Sequence, residues 1–147
     1  MSVLAMLETK LHSGVSGSAE LVVGEEHTAP RVGSGKVRVL ATPVMINLIE
    51  AAALAAIEHL LPDGYQSLGT HLDVRHLAAT PVGMKVRATA DVTRVDGRTV
   101  TFKVSASDEK EPIGEGTHER VVVNVAKFDQ RIETKKAQLQ RKLKGGS

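Results

Sequence analysis

The longest apolar pattern in the chain covers residues 41–61, ATPVMINLIEAAALAAIEHLL. Between Pro43 and Ile57 its only polar side chains are Asn47 and Glu50. Ala, Leu, Ile and Met favour helix, Thr42 and Pro43 read as N-cap and first helical residue, and Pro62, Asp63 and Gly64 read as the stop. A helix apolar on nearly every side predicts burial on nearly every side. Its length and polar flanks predict a core helix and not a membrane span. Glu50 is then a carboxylate where charge is costly, so it needs a partner or a task.

Beyond Gly64 the period changes to two. Over residues 68–78 the even positions are Leu68, Thr70, Leu72, Val74, His76 and Ala78, and the odd ones are Gly69, His71, Asp73, Arg75 and Leu77. That alternation predicts a strand covered on one face, with His76 on the apolar side. Residues 80–83 read as a turn, 84–95 as a long strand, Asp96-Gly97 as a hairpin, 98–107 as the return strand and 112–125 as the last. Gly114 and Gly116 predict a bulge or close backbone approach. Upstream, residues 1–18 read as a short helix or irregular lead-in, and 19–23 as a strand that 26–29 continue after a bulge at Gly24. Residues 30–36 read as a loop, and 127–144 as a basic helix that either covers the domain or forms a solvated tail. The predicted architecture is α+β, a long central helix wrapped by a curved antiparallel sheet, with a second copy covering the rest of the helix. That describes a dimeric hotdog fold, one domain over 1–147 with its core at about 18–131 and a basic helix or tail at 132–147.

Composition narrows the function classes. The net charge of +2 and only three aromatic residues, Tyr65, Phe102 and Phe128, argue against nucleic acid as a partner. The absence of cysteine removes thiolate nucleophiles and Cys-based zinc sites and suits a cytoplasmic location. No basic segment precedes the apolar start, so a signal peptide is not expected.

The candidate chemistry lies where polar groups enter apolar patterns. Glu50 reads either as a carboxylate paired with an arginine such as Arg120 or as a general base or nucleophile. Strand parity turns His76 toward the helix, so the two together form an acid–base pair suited to hydrolysis. Thr42 is explained as a cap, and about 12 Å of helix rise separates it from Glu50, so any contact between them is expected to run across a dimer interface. Gly69 reads as an oxyanion donor or as a strand bulge. His71 and His76 point to opposite sides, no metal-binding spacing occurs, and His118 reads as structural.

The segments ATPVMINLIEAA, SLGTHLDVRHLAATPVGMKV, VDGRTVTFKVSASDE and GEGTHERVVV, in this order, resemble the hotdog-fold acyl-CoA thioesterases of the fluoroacetyl-CoA thioesterase type. The resemblance implies Thr42, Glu50 and His76 as the catalytic set and Gly69 beside the thioester. It implies hydrolysis of an acyl-CoA, expected to be short-chain, to a carboxylate and CoA in a homodimer with interface sites. Neither a metal nor an organic cofactor is implied, CoA being part of the substrate. One departure stands out: members selective for fluoroacetyl groups carry an aromatic lid before the central helix, and here that region reads Gly33-Ser34-Gly35-Lys36-Val37. The alternatives are an acyl-CoA-binding protein without turnover and a hotdog enzyme acting on another CoA thioester. Lys36, Arg38 or the C-terminal lysines are the candidates for meeting CoA phosphates.

Overall fold

The computed structural model describes residues 2–145. Helix α1 (Val3–Lys10), capped by Ser2, leads into strand β1 (Ser16–Val22). A 3-10 turn (Glu25–His27) and the single-turn helix α2 (Ala29–Val32) precede the central helix α3 (Thr42–Ile57). Strands β2 (Tyr65–His76), β3 (Lys85–Asp96), β4 (Thr99–Asp108) and β5 (Pro112–Asn124) follow, and helix α4 (Val125–Lys144) closes the described chain. All five strands pair antiparallel in the order β1-β3-β4-β5-β2. The consecutive hairpins β3-β4-β5 form the centre, and β2 becomes an edge strand. Gly97, at φ 61°, makes the predicted tight turn between β3 and β4.

Helix α3 packs chiefly against β1 and β3. Met45, Ile49, Ala52, Ala53, Ala56 and Ile57 are buried there with Val86, Ala88, Ala90, Phe102 and Val104 of the sheet. Its alanines let β1 come close: a Cβ on Gly17 would stand 2.6 Å from the Ala52 carbonyl oxygen. That approach extends β1 back through the Ser-Gly-Ser stretch expected to be irregular. The length and apolarity of Thr42–Leu60 would suffice to cross a membrane. In one chain, however, α3 is buried on one broad side and not all round, with Asn47, Leu54 and Ala55 exposed.

Several expectations are corrected. Residues 26–29 do not continue the first strand, because local bonds outcompete a ladder: the Gly24 N–H donates to His27 Nδ1 (2.9 Å) and the Thr28 hydroxyl to the Glu25 carbonyl (2.7 Å). Part of the expected 30–36 loop belongs to α2. Thr42 is not the N-cap of α3; Ala41 is, and Thr42 is the first helical residue, which frees its hydroxyl. The single alternation over 68–78 is broken by a bulge between Gly69 and His71. Ser67 and Gly69 therefore share the inner face with Val122 and Arg120, opposite which they pair, while Leu72, Val74 and His76 continue that face beyond the bulge. Leu68 turns outward instead.

Candidate active site

Three elements bring the site residues to the inner face: the strand β2, the middle of β5 and the helix α3. At the start of α3, Thr42 Oγ1 lies 2.7 Å from His76 Nδ1, at the end of β2. His76 Nε2 is buried and makes no hydrogen bond. Burial holds the imidazole below its ordinary pKa, opposed by the Ala78 backbone, so the ring is neutral near pH 7. A neutral imidazole with an unused buried nitrogen is equipped to take or give a proton there. Beside the pair, a cleft of about 400 Å3 opens between α3 and residues 34–37, none of them aromatic, and Val39, Leu40 and Leu77 also line it.

The second cluster surrounds Glu50, two turns further along α3. Arg120 Nη1 donates to Glu50 Oε2 at 3.3 Å. The arginine is 5% exposed and fully engaged: Nε donates to Ser67 Oγ (2.8 Å), Nη2 to the Ser67 carbonyl (3.1 Å) and Nη1 also to His118 Nε2 (3.2 Å). Ser67 in turn donates its N–H and hydroxyl to the two oxygens of Glu58, at 2.9 and 2.8 Å. His118 Nδ1 donates to the His71 carbonyl at 2.9 Å, a group that can only accept, so Nε2 is the lone pair that receives Arg120. Burial lowers the His118 pKa, and the adjacent Arg120 cation adds to that. The ring also stacks on Phe102, centroids 5.9 Å apart. The guanidinium is thus held by groups that cannot compete with Glu50 for its charge, except Glu58 at one remove.

Gly69 completes this cluster. A Cβ at that position would stand 2.6 Å from Glu50 Oε2, 3.2 Å from His118 and 3.4 Å from Arg120 Nη1. The missing side chain therefore leaves the backbone of β2 open directly beside the carboxylate.

The predicted residues thus fall into two groups. The structure brings Thr42 to His76 and Gly69 to Glu50. It does not form the predicted Glu50–His76 pair: among the described residues, Glu50 is hydrogen-bonded to neither His76 nor Thr42. The arginine partner foreseen for Glu50 is Arg120. Ser67 and Glu58 carried no signal in the sequence, because a bulge two residues later decides that Ser67 faces inward.

Comparison with known proteins adds an independent view. Residues 23–126 match the family profile described as fluoroacetyl-CoA-specific thioesterase. The fluoroacetyl-CoA thioesterase of Streptantibioticus cattleyicolor is 43% identical over 97 residues, covering 66% of this chain and 70% of that protein. A solved fluoroacetyl-CoA thioesterase structure aligns with a TM-score of 0.79 at 36% identity, covering 84% of this chain and 96% of that one. A hot-dog-like protein from Thermanaerovibrio acidaminovorans aligns with a TM-score of 0.81 at 25% identity, covering 88% and 96%.

Proposed function

The chain belongs to the fluoroacetyl-CoA-specific thioesterase family, a hotdog-fold thioester hydrolase cleaving acyl-CoA to a carboxylate and CoA, and from that premise we propose that it acts on short acyl groups at a site shared by two copies of the chain. The observation that carries this reading is the contact between Gly69 and Glu50, which sets a carboxylate against an open stretch of backbone. The thioester carbonyl lies there with its oxygen toward the Gly69 N–H, which stabilises the oxyanion as charge develops. Glu50 either takes a proton from water, which then adds to the carbonyl carbon, or attacks that carbon itself and forms an anhydride that water opens. In both routes the C–S bond breaks and CoA leaves as thiolate. Thr42 orients His76. In the first route the proton that Glu50 takes from water passes on to the thiolate; in the second, His76 Nε2 takes the proton from the water that opens the anhydride and gives it to the thiolate. The reaction calls on no metal or organic cofactor.

Sharing between copies follows from distance. Thr42 and Glu50 are eight positions apart on α3, about 12 Å of rise, so one chain keeps the two groups apart. Strand β2 is a twelve-residue edge strand, a length that invites pairing with another chain. Antiparallel pairing with its own copy brings the opposite ends of the two β2 strands toward each other. Leu72 faces inward yet is 40% exposed, as expected of a residue awaiting that cover. Tight packing beside His76 favours a small acyl group: a Cβ on Gly114, which pairs with His76, would stand 2.7 Å from Met45 Sδ.

The test is thiol release over a panel of acyl-CoAs of increasing length, with Glu50→Ala and His76→Ala alongside. Turnover concentrated on short acyl groups and lost in both variants is expected; full turnover in either variant overturns the site. Single-turnover hydrolysis in heavy-oxygen water separates the two routes, since only nucleophilic attack leaves the label in Glu50.

A further inference from the structure

Glu58 caps the end of α3, is half-buried, and bonds to none of the reacting groups. Among the described residues it forms no ion pair. Both of its oxygens go to one residue: Oε1 accepts the Ser67 N–H at 2.9 Å and Oε2 the Ser67 hydroxyl at 2.8 Å. Removing a carboxylate from most of its water without giving it a cation is costly, so the arrangement calls for a reason. Ser67, only 5% exposed, supplies one, because it faces Glu58 on one side and Arg120 on the other.

A carboxylate only accepts hydrogen bonds, and a serine hydroxyl has a single hydrogen to give. Because Glu58 takes that hydrogen, Ser67 Oγ presents lone pairs to Arg120, whose Nε donates to it at 2.8 Å. Arg120 Nη2 donates to the carbonyl of the same serine at 3.1 Å. Two bonds to one residue fix the plane of the guanidinium fork. The third nitrogen, Nη1, is thereby aimed at His118 Nε2 and Glu50 Oε2, and it is the one hydrogen-bond partner of the Glu50 side chain among the described residues. A relay of fixed direction thus joins two carboxylates of the same helix end to end, through a hydroxyl and a guanidinium.

We propose that Glu58 is a positioning residue for thioester hydrolysis: acting through Ser67 it sets the guanidinium of Arg120, and Arg120 sets the carboxylate of Glu50. The proposal rests on the acyl-CoA reading of the Gly69–Glu50 cluster. The Glu50 side chain is 35% exposed, so its carboxylate is free to turn unless Nη1 stands still. A base or nucleophile that turns away from the carbonyl carbon loses rate and leaves the grip on the substrate as it was, so the effect of Glu58 belongs in kcat and not in KM.

Glu58→Gln keeps the shape of the side chain, but its amide can accept only one of the two Ser67 donors. On the short acyl-CoA that wild type turns over fastest, kcat per folded molecule is expected to fall about tenfold in this variant, with KM held within about twofold. In a Ser67→Ala background, where the relay is already cut, the same change is expected to cost less than about twofold. An unchanged kcat, a change confined to KM, or losses that multiply in the double variant overturns the proposal. The Arg120 Nε–H resonance is the second arm, read in a proton–nitrogen correlation spectrum and identified by its loss in Arg120→Lys; it is expected to move or broaden in Glu58→Gln. If wild type cleaves no acyl-CoA, the enzymatic reading fails, and the resonance still decides whether Glu58 holds Arg120: movement supports the relay and a fixed position overturns it. Should Glu58→Gln not fold, Glu58→Asp, one methylene too short to span both donors, is expected to show the same resonance change with a smaller loss of kcat, and no change in either overturns the proposal.

Discussion

Gly69 and Glu50 meet across the inner face of the domain, so that the single carbon of an alanine at residue 69 would sit 2.6 Å from the carboxylate. Two residues from different elements, nineteen positions apart, are fitted to each other by the absence of a side chain. Whatever reacts with Glu50 has backbone, and no side chain, on its other flank.

Gly69→Ala is therefore expected to displace the carboxylate by a fraction of an ångström or more. A misplacement of that order lowers kcat/KM on the order of a hundredfold. Thermal unfolding should change little, because the clash is with the end of a side chain that is about a third exposed. Steady-state hydrolysis with a melting curve checks this, and a large drop in Tm would show that the residue serves the fold instead.

Arg120 and Glu50 differ sharply in exposure, and the two variants should separate accordingly. Arg120→Ala takes the guanidinium away from Glu50, the Ser67 carbonyl and His118 Nε2 and is expected to cost about 3 kcal/mol. Glu50→Gln keeps an acceptor for Nη1 and lies where water screens the pair, so it should cost less than about 1 kcal/mol while abolishing hydrolysis. Urea unfolding of both variants reads the difference.

Both inner-face histidines have pKa values lowered by burial, and the sign of the consequence is fixed. Their unfolded values are the ordinary ones near 6.5, so the unfolded chain binds more protons as pH falls below that value. Stability is then flat above the ordinary histidine range and declines below it, down to the lowered folded values. Activity should fall on the same acid side as His76 takes up a proton, and its midpoint should lie below the ordinary value. Unfolding free energies and kcat/KM against pH test this; a midpoint above the ordinary value contradicts it.

Much of this was legible in the sequence because periodicity reports burial. The apolar run carrying Glu50, the alternation carrying His76 and the Asp96-Gly97 hairpin each correspond to the element they predict. What periodicity cannot report is a break in its own phase. One extra residue at the Gly69–His71 bulge reverses the faces of Ser67 and Leu68, and with them the network that holds Arg120. The Thr42 hydroxyl was hidden for a different reason, since a threonine before a proline caps helices so often that its actual bond to His76 has no local signature. The pairing of Glu50 with His76 failed because parity assigns a face and not a position along it.

That failure leads to the most decisive measurement on the assembly. If each site takes Glu50 and Gly69 from one chain and Thr42 and His76 from its partner, two inactive variants should rescue each other. In a dimer of Glu50→Ala with His76→Ala, one site joins the intact Glu50 of the second chain to the intact His76 of the first. The other site lacks both. Half of the sites in each mixed dimer are then complete, and random exchange makes about half of all dimers mixed, so about a quarter of wild-type activity returns. If instead each chain used its own Glu50 with its own His76, every site in the mixture would lack one group and no activity would return. The experiment requires unfolding and refolding the two variants together, with each refolded alone as the baseline. Recovery near a quarter places the two-fold axis between the clusters; recovery at the baseline returns both groups to one chain and requires α3 and β2 to move toward each other on binding substrate.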